Sequence, residues 1–281
     1  MAPQAAEEPQ RNSIDETARP VRSSPGVTSM TTSLAKAYDL TGQVALITGG
    51  AQGIGLAIGT LLAEQGARIV VVDQNPKVGE IAAALGNASF GMGIDVRDDA
   101  AVSSGVAEIL GKTGRIDILV NNVGIAPIML ATDFTMSAWD ATFGVNIRAA
   151  FMFSQAVGRH MIERRYGRIV SLASQAALVA LEGHIAYTAS KAGVIAMSKV
   201  LALEWGPHGI TSNTISPTVI NTAMGREVWA GARGEAFRAK IPVGRFGEVE
   251  EIAHAVLYLV SGAAGLINGE NLVVDGGYTI V

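Results

Sequence analysis

Residues 43–66 read QVALITGGAQGIGLAIGTLLAEQG. The apolar run at 43–48 is typical of a short buried strand, and the apolar spacing after Gly55 is typical of a helix. The glycines between them allow positive φ angles and a close approach of the backbone to a ligand. The start of the helix then presents free N–H groups and the positive end of its dipole. This order of strand, glycine-rich turn and helix predicts a binding site for a pyrophosphate group.

A second buried strand, ARIVVVD at 67–73, ends in Asp73, which lies 18 residues after Gly55. An acidic residue at this distance from a glycine-rich turn can accept hydrogen bonds from both hydroxyl groups of an adenosine ribose. The same carboxylate would repel a 2′-phosphate, and it therefore favours NAD over NADP. The competing interpretation is that Asp73 caps the next helix, which begins near Pro76.

Strands and helices continue to alternate along the chain. Helices are predicted at roughly 77–85, 98–112, 137–165, 185–205 and 248–260, and strands at 89–96, 116–122, 167–174, 209–216 and 270–277. Alternation of this kind produces parallel strands joined by right-handed crossovers. The sequence therefore predicts an α/β fold, a single doubly wound domain with a mostly parallel seven-stranded sheet and helices on both faces.

Two segments stand outside this alternation. Residues 1–35 are rich in Pro, Ser, Thr, Glu and Gln and poor in large apolar side chains, so we expect a disordered N-terminal tail before a domain at 36–281. Residues 217–247 are long for a connection between sheet elements. Segments of this length are usually lids or binding loops, and we expect this one to cover the substrate.

Composition excludes several classes of function. The net charge of −4 gives no electrostatic footprint for nucleic acid, and the absence of cysteine excludes disulfides, thiolate metal sites and a cysteine nucleophile. The four histidines lack metal-ligand spacing, so we expect no metal. No apolar run approaches the ~20 residues of a membrane helix, and the N-terminus lacks a signal-peptide pattern. The sequence therefore predicts a cytoplasmic protein with a small-molecule substrate and no nucleic-acid or membrane partner.

Residues 174–191 read SQAALVALEGHIAYTASK, and Tyr187 and Lys191 lie one turn apart if a helix begins near residue 185. A fixed ammonium beside a phenol lowers the pKa of the phenol, so Tyr187 can exchange a proton with an alcohol or a carbonyl. Ser174 stands at the carboxyl end of a predicted strand, where α/β sheets bind ligands. Asn146 is unusual inside a predicted helix, and it indicates either a local kink or a polar group directed into the site. The competing interpretation of Tyr187 and Lys191 is a solvated pair on a helix face, and that of Ser174 is a cap at the end of a strand.

Five motifs follow one another: Thr48-Gly49-x-x-x-Gly53-x-Gly55, Asn121-Asn122-x-Gly124, Asn146, Ser174 and Tyr187-x-x-x-Lys191. In this combination residues 41–281 resemble the short-chain dehydrogenases/reductases, a family with a Rossmann-type fold. The resemblance implies that Tyr187 is the general acid/base and that Lys191 lowers its pKa and holds the nicotinamide ribose. It implies further that Ser174 binds the substrate oxygen and that Asn146 holds a water in a proton relay. The implied cofactor site consists of Thr48, Gly49, Gln52, Gly53, Ile54, Gly55, Asp73, Asp95, Val96, Asn122, Gly124, Tyr187, Lys191, Pro217, Ile220 and Thr222.

Two residues depart from the family pattern. Val123 stands where the family usually has alanine, and we expect a local change of packing at this strand end. Thr218 follows Pro217 where the family usually has glycine, which changes the freedom of the backbone beside the nicotinamide. Both departures leave the predicted acid/base chemistry in place.

Segments 182–184, 202–206 and 216–218 resemble those of NAD-dependent polyol dehydrogenases, including threitol-type enzymes. Such an enzyme would oxidise a secondary hydroxyl of a small polyol to a ketone. Candidate substrate residues are Ser174, Gln175, His184, Tyr187 and Trp229. Two alternatives remain open: a 3-oxoacyl-[acyl-carrier-protein] reductase and a non-catalytic NAD-binding regulator. The resemblance also implies a homotetramer.

Overall fold

Seven short strands form the centre of the molecule. The structure is a computed structural model that describes residues 34–281. The predicted tail at 1–35 lies outside the described residues, except for Leu34 and Ala35, which begin a helical turn. The strands are β1 (Val44–Thr48), β2 (Arg68–Val72), β3 (Phe90–Met92), β4 (Ile118–Asn121), β5 (Gly167–Leu172), β6 (Ile210–Pro217) and β7 (Asn271–Val274). They lie in the order β3-β2-β1-β4-β5-β6-β7, and all neighbouring pairs are parallel.

Helices cover both faces of this sheet. They are α1 (Gly53–Glu64), α2 (Val78–Ala83), α3 (Asp99–Thr113), α4 (Met136–Phe143), α5 (Ala149–Arg164), α6 (Ile185–Trp205), α7 (Ala223–Val228), α8 (Gly231–Arg238) and α9 (Val249–Val260). On β1, Ile47 packs in a cluster with residues of α1 and α9, whereas Leu46 packs in a second cluster with residues of α3 and α5. Strands buried on both faces read as continuous apolar runs, as these do. The predicted single doubly wound α/β domain is confirmed, and the sheet is parallel throughout.

Three elements differ from their predicted form. Strand β3 ends at Met92 rather than at residue 96, because it is the edge strand of the described sheet and pairs with β2 over three residues. The long helix predicted at 137–165 is divided into α4 and α5 by a π-helical segment, Gly144–Arg148, which contains Asn146. The segment at 217–247 contains the short helices α7 and α8. Among the described helices, none combines the length and the apolar character needed to cross a membrane.

Candidate active site

A cavity of about 710 Å³ opens at the carboxyl ends of the strands, where the sequence predicts the site. Most of the predicted site residues line it, namely Gly49, Gln52, Gly53, Ile54, Asp73, Asp95, Val96, Asn122, Gly124, Ser174, Gln175, His184, Tyr187, Lys191, Pro217, Ile220, Thr222 and Trp229. Three others are buried behind this lining: Thr48, Gly55 and Asn146. The structure therefore separates residues that can touch a ligand from residues that support them.

The glycine-rich turn after β1 forms a cradle at one end of the cavity. Gly49 and Gly53 adopt positive φ angles of 66° and 54°. A Cβ atom on Gly55 would lie 2.3 Å from the carbonyl oxygen of Gly49, so only glycine allows α1 to approach the turn this closely. The side chain of Gln52, at the N-cap of α1, makes no capping hydrogen bond. The first N–H groups of the helix are thus left for an anionic ligand.

Hydrogen bonds between Thr48 and Asn122 join the carboxyl ends of β1 and β4 next to this turn. The Nδ2 atom of Asn122 donates hydrogen bonds to the carbonyl oxygens of Thr48 at 3.0 Å and of Gly49 at 2.8 Å. In return, the backbone N–H of Asn122 donates to the Thr48 hydroxyl at 3.1 Å. Thr48 therefore shapes the turn from behind instead of contacting a ligand with its side chain.

Asp73 lies directly after β2 and is half-buried. Its Oδ2 atom accepts a hydrogen bond from the backbone N–H of Ala51 at 3.0 Å, and its Oδ1 atom accepts one from that of Asn75 at 2.9 Å. The carboxylate does not cap α2, because the N-cap of that helix is Lys77. Asp73 thus ties the glycine-rich turn to β2 and also lines the cavity.

Asp95 and Val96 line the cavity from the loop after β3. Asp95 forms an ion pair with Arg97 at 2.6 Å. The side-chain hydrogen bond from Arg97, assisted by its backbone N–H, lowers the pKa of Asp95 to about 2. Arg97 also lines the cavity but was not predicted as a site residue. The sequence signal that could have indicated it is its position directly after the predicted site residues Asp95 and Val96.

Tyr187 and Lys191 project from the first two turns of α6. The Nζ atom of Lys191 lies 5.8 Å from the centroid of the Tyr187 ring and donates a hydrogen bond to the carbonyl oxygen of Leu172 at 2.5 Å. Burial raises the pKa of Tyr187, against a smaller opposite effect of the Ser174 hydroxyl. Burial also lowers the pKa of Lys191 to about 8. The direction for Tyr187 is opposite to that expected from the sequence, because burial of the phenol outweighs the hydrogen bond with the Ser174 hydroxyl.

Ser174 follows β5 and is buried at the cavity wall. Its Oγ atom accepts a hydrogen bond from the backbone N–H of Ala176 at 3.1 Å, which fixes the hydroxyl in a short helical turn. The hydroxyl keeps its hydrogen and a second lone pair for other partners. The Tyr187 phenol is one such partner, since the Ser174 hydroxyl acts on its pKa. This arrangement suits a donor to a substrate oxygen.

Asn146 is only 2% exposed and uses its whole amide within the protein. Its Oδ1 atom accepts a hydrogen bond from the N–H of Ile125 at 2.8 Å, and its Nδ2 atom donates to the carbonyl of Ile125 and to the hydroxyl of Ser190, both at 2.9 Å. The Ser190 hydroxyl in turn donates to the carbonyl oxygen of Tyr187 at 2.8 Å. The π-helical segment thus connects the loop after β4 to the start of α6. The predicted role of Asn146 in a proton relay remains a prediction.

The segment after β6 closes the other side of the cavity. Thr222 caps α7 through its hydroxyl, which accepts the N–H of Gly225 at 2.9 Å, and its methyl group lies near Gly53. Ile220 is buried and pairs in a β-bridge with Gly247. Trp229 lines the cavity and also packs against Phe237, with ring centroids 4.5 Å apart. This segment therefore contacts the glycine-rich turn through Thr222 and lines the cavity through Trp229.

The two departures from the family pattern have local consequences. Val123 packs at the edge of the second apolar cluster. Thr218 has no positive φ angle, so its backbone does not need the freedom of glycine. Its Oγ1 atom is buried without a hydrogen-bond partner among the described residues, and the residue lines the cavity. An unpartnered hydroxyl in this place is available to a bound ligand.

Sequence analysis missed most of the apolar lining of the cavity. These residues include Val72, Ile94, Ile125, Ile128, Val145, Leu181 and Val219. In the sequence they are indistinguishable from core residues, and only the tertiary structure shows which of them face a cavity.

The residues of the cavity fit a dinucleotide along its length. The cradle at Gly53 and the free start of α1 suit a diphosphate, the carboxylate of Asp73 suits a ribose, and the orphaned hydroxyl of Thr218 adds a polar partner. Tyr187 and the buried Lys191 stand at the opposite end beside Ser174. The fold and the site together define a nicotinamide-dependent oxidoreductase.

Comparisons with known proteins lead to the same class. The family model described as enoyl-(acyl carrier protein) reductase matches residues 49–279. The D-threitol dehydrogenase of Mycolicibacterium smegmatis is 49% identical over 86% of this chain and 95% of its own length. The NAD-dependent glycerol dehydrogenase of Listeria innocua is 44% identical over 87% of this chain and 97% of its own length. The chain belongs to the short-chain dehydrogenase/reductase family.

A solved structure shows the same fold. The gluconate 5-dehydrogenase of Burkholderia cenocepacia, in complex with NADP and tartrate, superposes with a TM-score of 0.85. It is 35% identical in sequence, and the match covers 88% of this chain and 99% of that chain. Since this relative holds NADP and another is described as NAD-dependent, family membership does not by itself decide between the two cofactors.

Proposed function

We propose that this protein oxidises a secondary hydroxyl group of a small polyol, with NAD as its cofactor. The observation that supports this most strongly is the group of Ser174, Tyr187 and Lys191 at one end of a cavity whose other end holds Asp73. The relatives described as D-threitol and glycerol dehydrogenases support the polyol as substrate.

The chain's own residues would manage the proton of the reacting hydroxyl. A bound nicotinamide would supply the hydride chemistry, as the acceptor in oxidation and as the donor in reduction. Ser174 donates a hydrogen bond to the substrate oxygen, and the phenolate of Tyr187 takes the hydroxyl proton as the carbonyl forms. In the reverse direction the neutral phenol returns that proton. Because burial raises the pKa of Tyr187, the neutral form suits the reduction direction at neutral pH, and oxidation requires the phenolate.

Asp73 supports NAD as the preferred cofactor. Its carboxylate forms no ion pair with a described side chain, so its negative charge is not neutralised. The strongly basic residues among the described lining are Lys191, at the substrate end, and Arg97, which is paired with Asp95. A 2′-phosphate beside Asp73 would meet a like charge without a free cation to compensate.

The segment 217–247 acts in this proposal as a lid over the substrate. It lines the cavity through Ile220, Thr222 and Trp229, and Phe237 of α8 packs in a small apolar cluster with Ile241 and Phe246. The homotetramer implied by the family resemblance and the cytoplasmic location expected from the sequence belong to the proposal as well.

The two alternatives differ in what they require. A 3-oxoacyl-[acyl-carrier-protein] reductase would need a cation for the 2′-phosphate of NADP. Asp73 instead places a negative charge where that phosphate would lie. A non-catalytic NAD-binding regulator would not need Ser174, Tyr187 and Lys191 together at one wall of the cavity.

A substrate panel tests the proposal. Formation of NADH or NADPH would be followed with polyols of three to six carbons, with 2-butanol, and in the reverse direction with an acetoacetyl thioester. The proposal expects the highest kcat/KM for a polyol with NAD. A higher kcat/KM for the thioester or for 2-butanol than for every polyol would overturn the substrate, and equal kcat/KM for both cofactors would overturn the preference for NAD.

A further inference from the structure

Gln175 carries an unused amide group at the wall of the cavity. The residue is 3% exposed, lines the cavity and follows Ser174 directly. Its Oε1 atom is buried without a hydrogen-bond partner among the described residues. A buried amide without a partner is unfavourable, so a native structure that retains one has another use for it. A hydroxyl group can both donate and accept, and it can therefore satisfy this amide in either of its two orientations.

His184 contributes a second polar group to the same cavity. It is 5% exposed, and its Nδ1 atom lies 2.7 Å from the carbonyl oxygen of Glu182. Because a carbonyl oxygen can only accept, the hydrogen of the neutral ring is on Nδ1 and its Nε2 atom is an acceptor. The ring stands edge-on to Tyr187, with centroids 6.2 Å apart. The fixed tautomer therefore presents an acceptor close to the predicted acid/base residue.

We propose that Gln175 and His184 form a hydroxyl-binding pair that holds a second hydroxyl group of the substrate. The inference rests on the proposed polyol oxidation and goes further, since it assigns the residues that distinguish a polyol from a plain secondary alcohol. Ser174 and Tyr187 hold the reacting hydroxyl, and the pair flanks them in the chain, one residue after Ser174 and three residues before Tyr187.

The positions of the pair are rigid, which specificity for a second hydroxyl requires. Gln175 begins a short 3-10 turn, and His184 is the N-cap residue of α6. His184 is held further by a β-bridge to Met129, which lies in the loop after β4. A polyol would satisfy both groups, whereas a plain alcohol would leave the Gln175 amide buried and unpaired.

The test compares the ratio of kcat/KM for threitol or erythritol to kcat/KM for 2-butanol, with NAD, in the wild type and in three variants. Gln175→Leu and His184→Phe remove the polar groups and keep side chains of comparable size. Thr188→Val is the matched control, because the Thr188 hydroxyl is also buried without a partner beside Tyr187 but does not line the cavity. NADH binding measured by fluorescence, together with thermal unfolding, shows whether each variant is folded.

We expect the ratio to fall about tenfold or more in Gln175→Leu and in His184→Phe, and to change less than about twofold in Thr188→Val. A wild-type preference for the polyols that both pair variants retain would overturn the hydroxyl-binding pair and leave the proposed function intact. A wild-type ratio near one would overturn the pair and the polyol assignment together. If His184→Phe or Gln175→Leu does not fold, His184→Asn and Gln175→Met are measured in its place with the same criterion.

Discussion

The Nζ atom of Lys191 lies 5.8 Å from the centroid of the Tyr187 ring, one turn further along the same helix. Burial shifts both groups toward their uncharged forms, because it raises the pKa of Tyr187 and lowers that of Lys191 to about 8. A buried charge without a close counter-charge lowers the free energy of unfolding, and catalytic sites retain such charges because their chemistry requires them. The pair therefore predicts a conflict between activity and stability at this place.

Lys191→Met should abolish polyol oxidation and stabilise the free protein at pH 7. The folded-state pKa of about 8 lies below the usual pKa of about 10.4, so the unfolded state binds more protons between these values. The wild type therefore gains stability as the pH rises through this range, and the variant lacks that gain. We expect the variant to be more stable by about 1–3 kcal/mol at pH 7, with a smaller difference at pH 9.5. Urea unfolding at both pH values measures this, and a difference that does not shrink would contradict the assigned cause.

Asp73→Asn should narrow the preference for NAD over NADP. The amide removes the negative charge, and its oxygen can still accept the N–H of Ala51, so the glycine-rich turn is kept. We expect the ratio of kcat/KM with NAD to that with NADP to fall at least about tenfold. Glu80→Gln is the control, since Glu80 is an exposed acid on α2 that does not line the cavity. An unchanged ratio in Asp73→Asn would show that another feature selects the cofactor.

Gly55→Ala should damage both stability and cofactor binding. The new Cβ atom would lie 2.3 Å from the Gly49 carbonyl oxygen and 2.6 Å from the Nδ2 atom of Asn122, and the first of these is a backbone atom that cannot turn aside. We expect a loss of about 1–3 kcal/mol and weaker NADH binding, measured by urea unfolding and fluorescence titration. Gly111→Ala on α3 meets no atom within 4 Å and should be neutral or slightly stabilising. Equal effects of the two substitutions would refute the close approach of α1 to the turn.

Much of the site could be predicted because its chemistry depends on residue types at fixed spacings. Tyr187 and Lys191 are four residues apart on one helix, and Asp73 ends a strand that follows a glycine-rich turn. Such local patterns can be recognised without knowledge of the tertiary structure. The structure places all three residues at the cavity.

Other features depend on contacts between distant segments. Asn146 binds the backbone of Ile125, which is 21 residues away, and the helix around it becomes π-helical. Burial raises the pKa of Tyr187, whereas the sequence-based expectation considered only the neighbouring charge. The orphaned amide of Gln175 likewise appears only once its surroundings are folded.

Tyr278→Ala should weaken substrate binding from a distance. Tyr278 stacks on Phe237 with ring centroids 4.8 Å apart, and Phe237 packs against Trp229, which lines the cavity. Loss of the stack should loosen the lid, so we expect KM for a polyol to rise about threefold or more with a smaller change in kcat. Ile280→Ala, in the same C-terminal turn but 85% exposed, serves as the control. Equal KM values for the two variants would argue against support of the lid by the C-terminus.

The most direct test of the account is the turnover of Tyr187→Phe with NAD and the best polyol of the panel. The phenyl ring keeps the shape of the side chain and removes the group that carries the proton. A general acid/base is worth about 10²–10⁴ in rate, so the account predicts a loss of at least a hundredfold in kcat, with NADH binding retained. Residual activity above about a tenth of the wild type would contradict the assignment of Tyr187 as the acid/base residue.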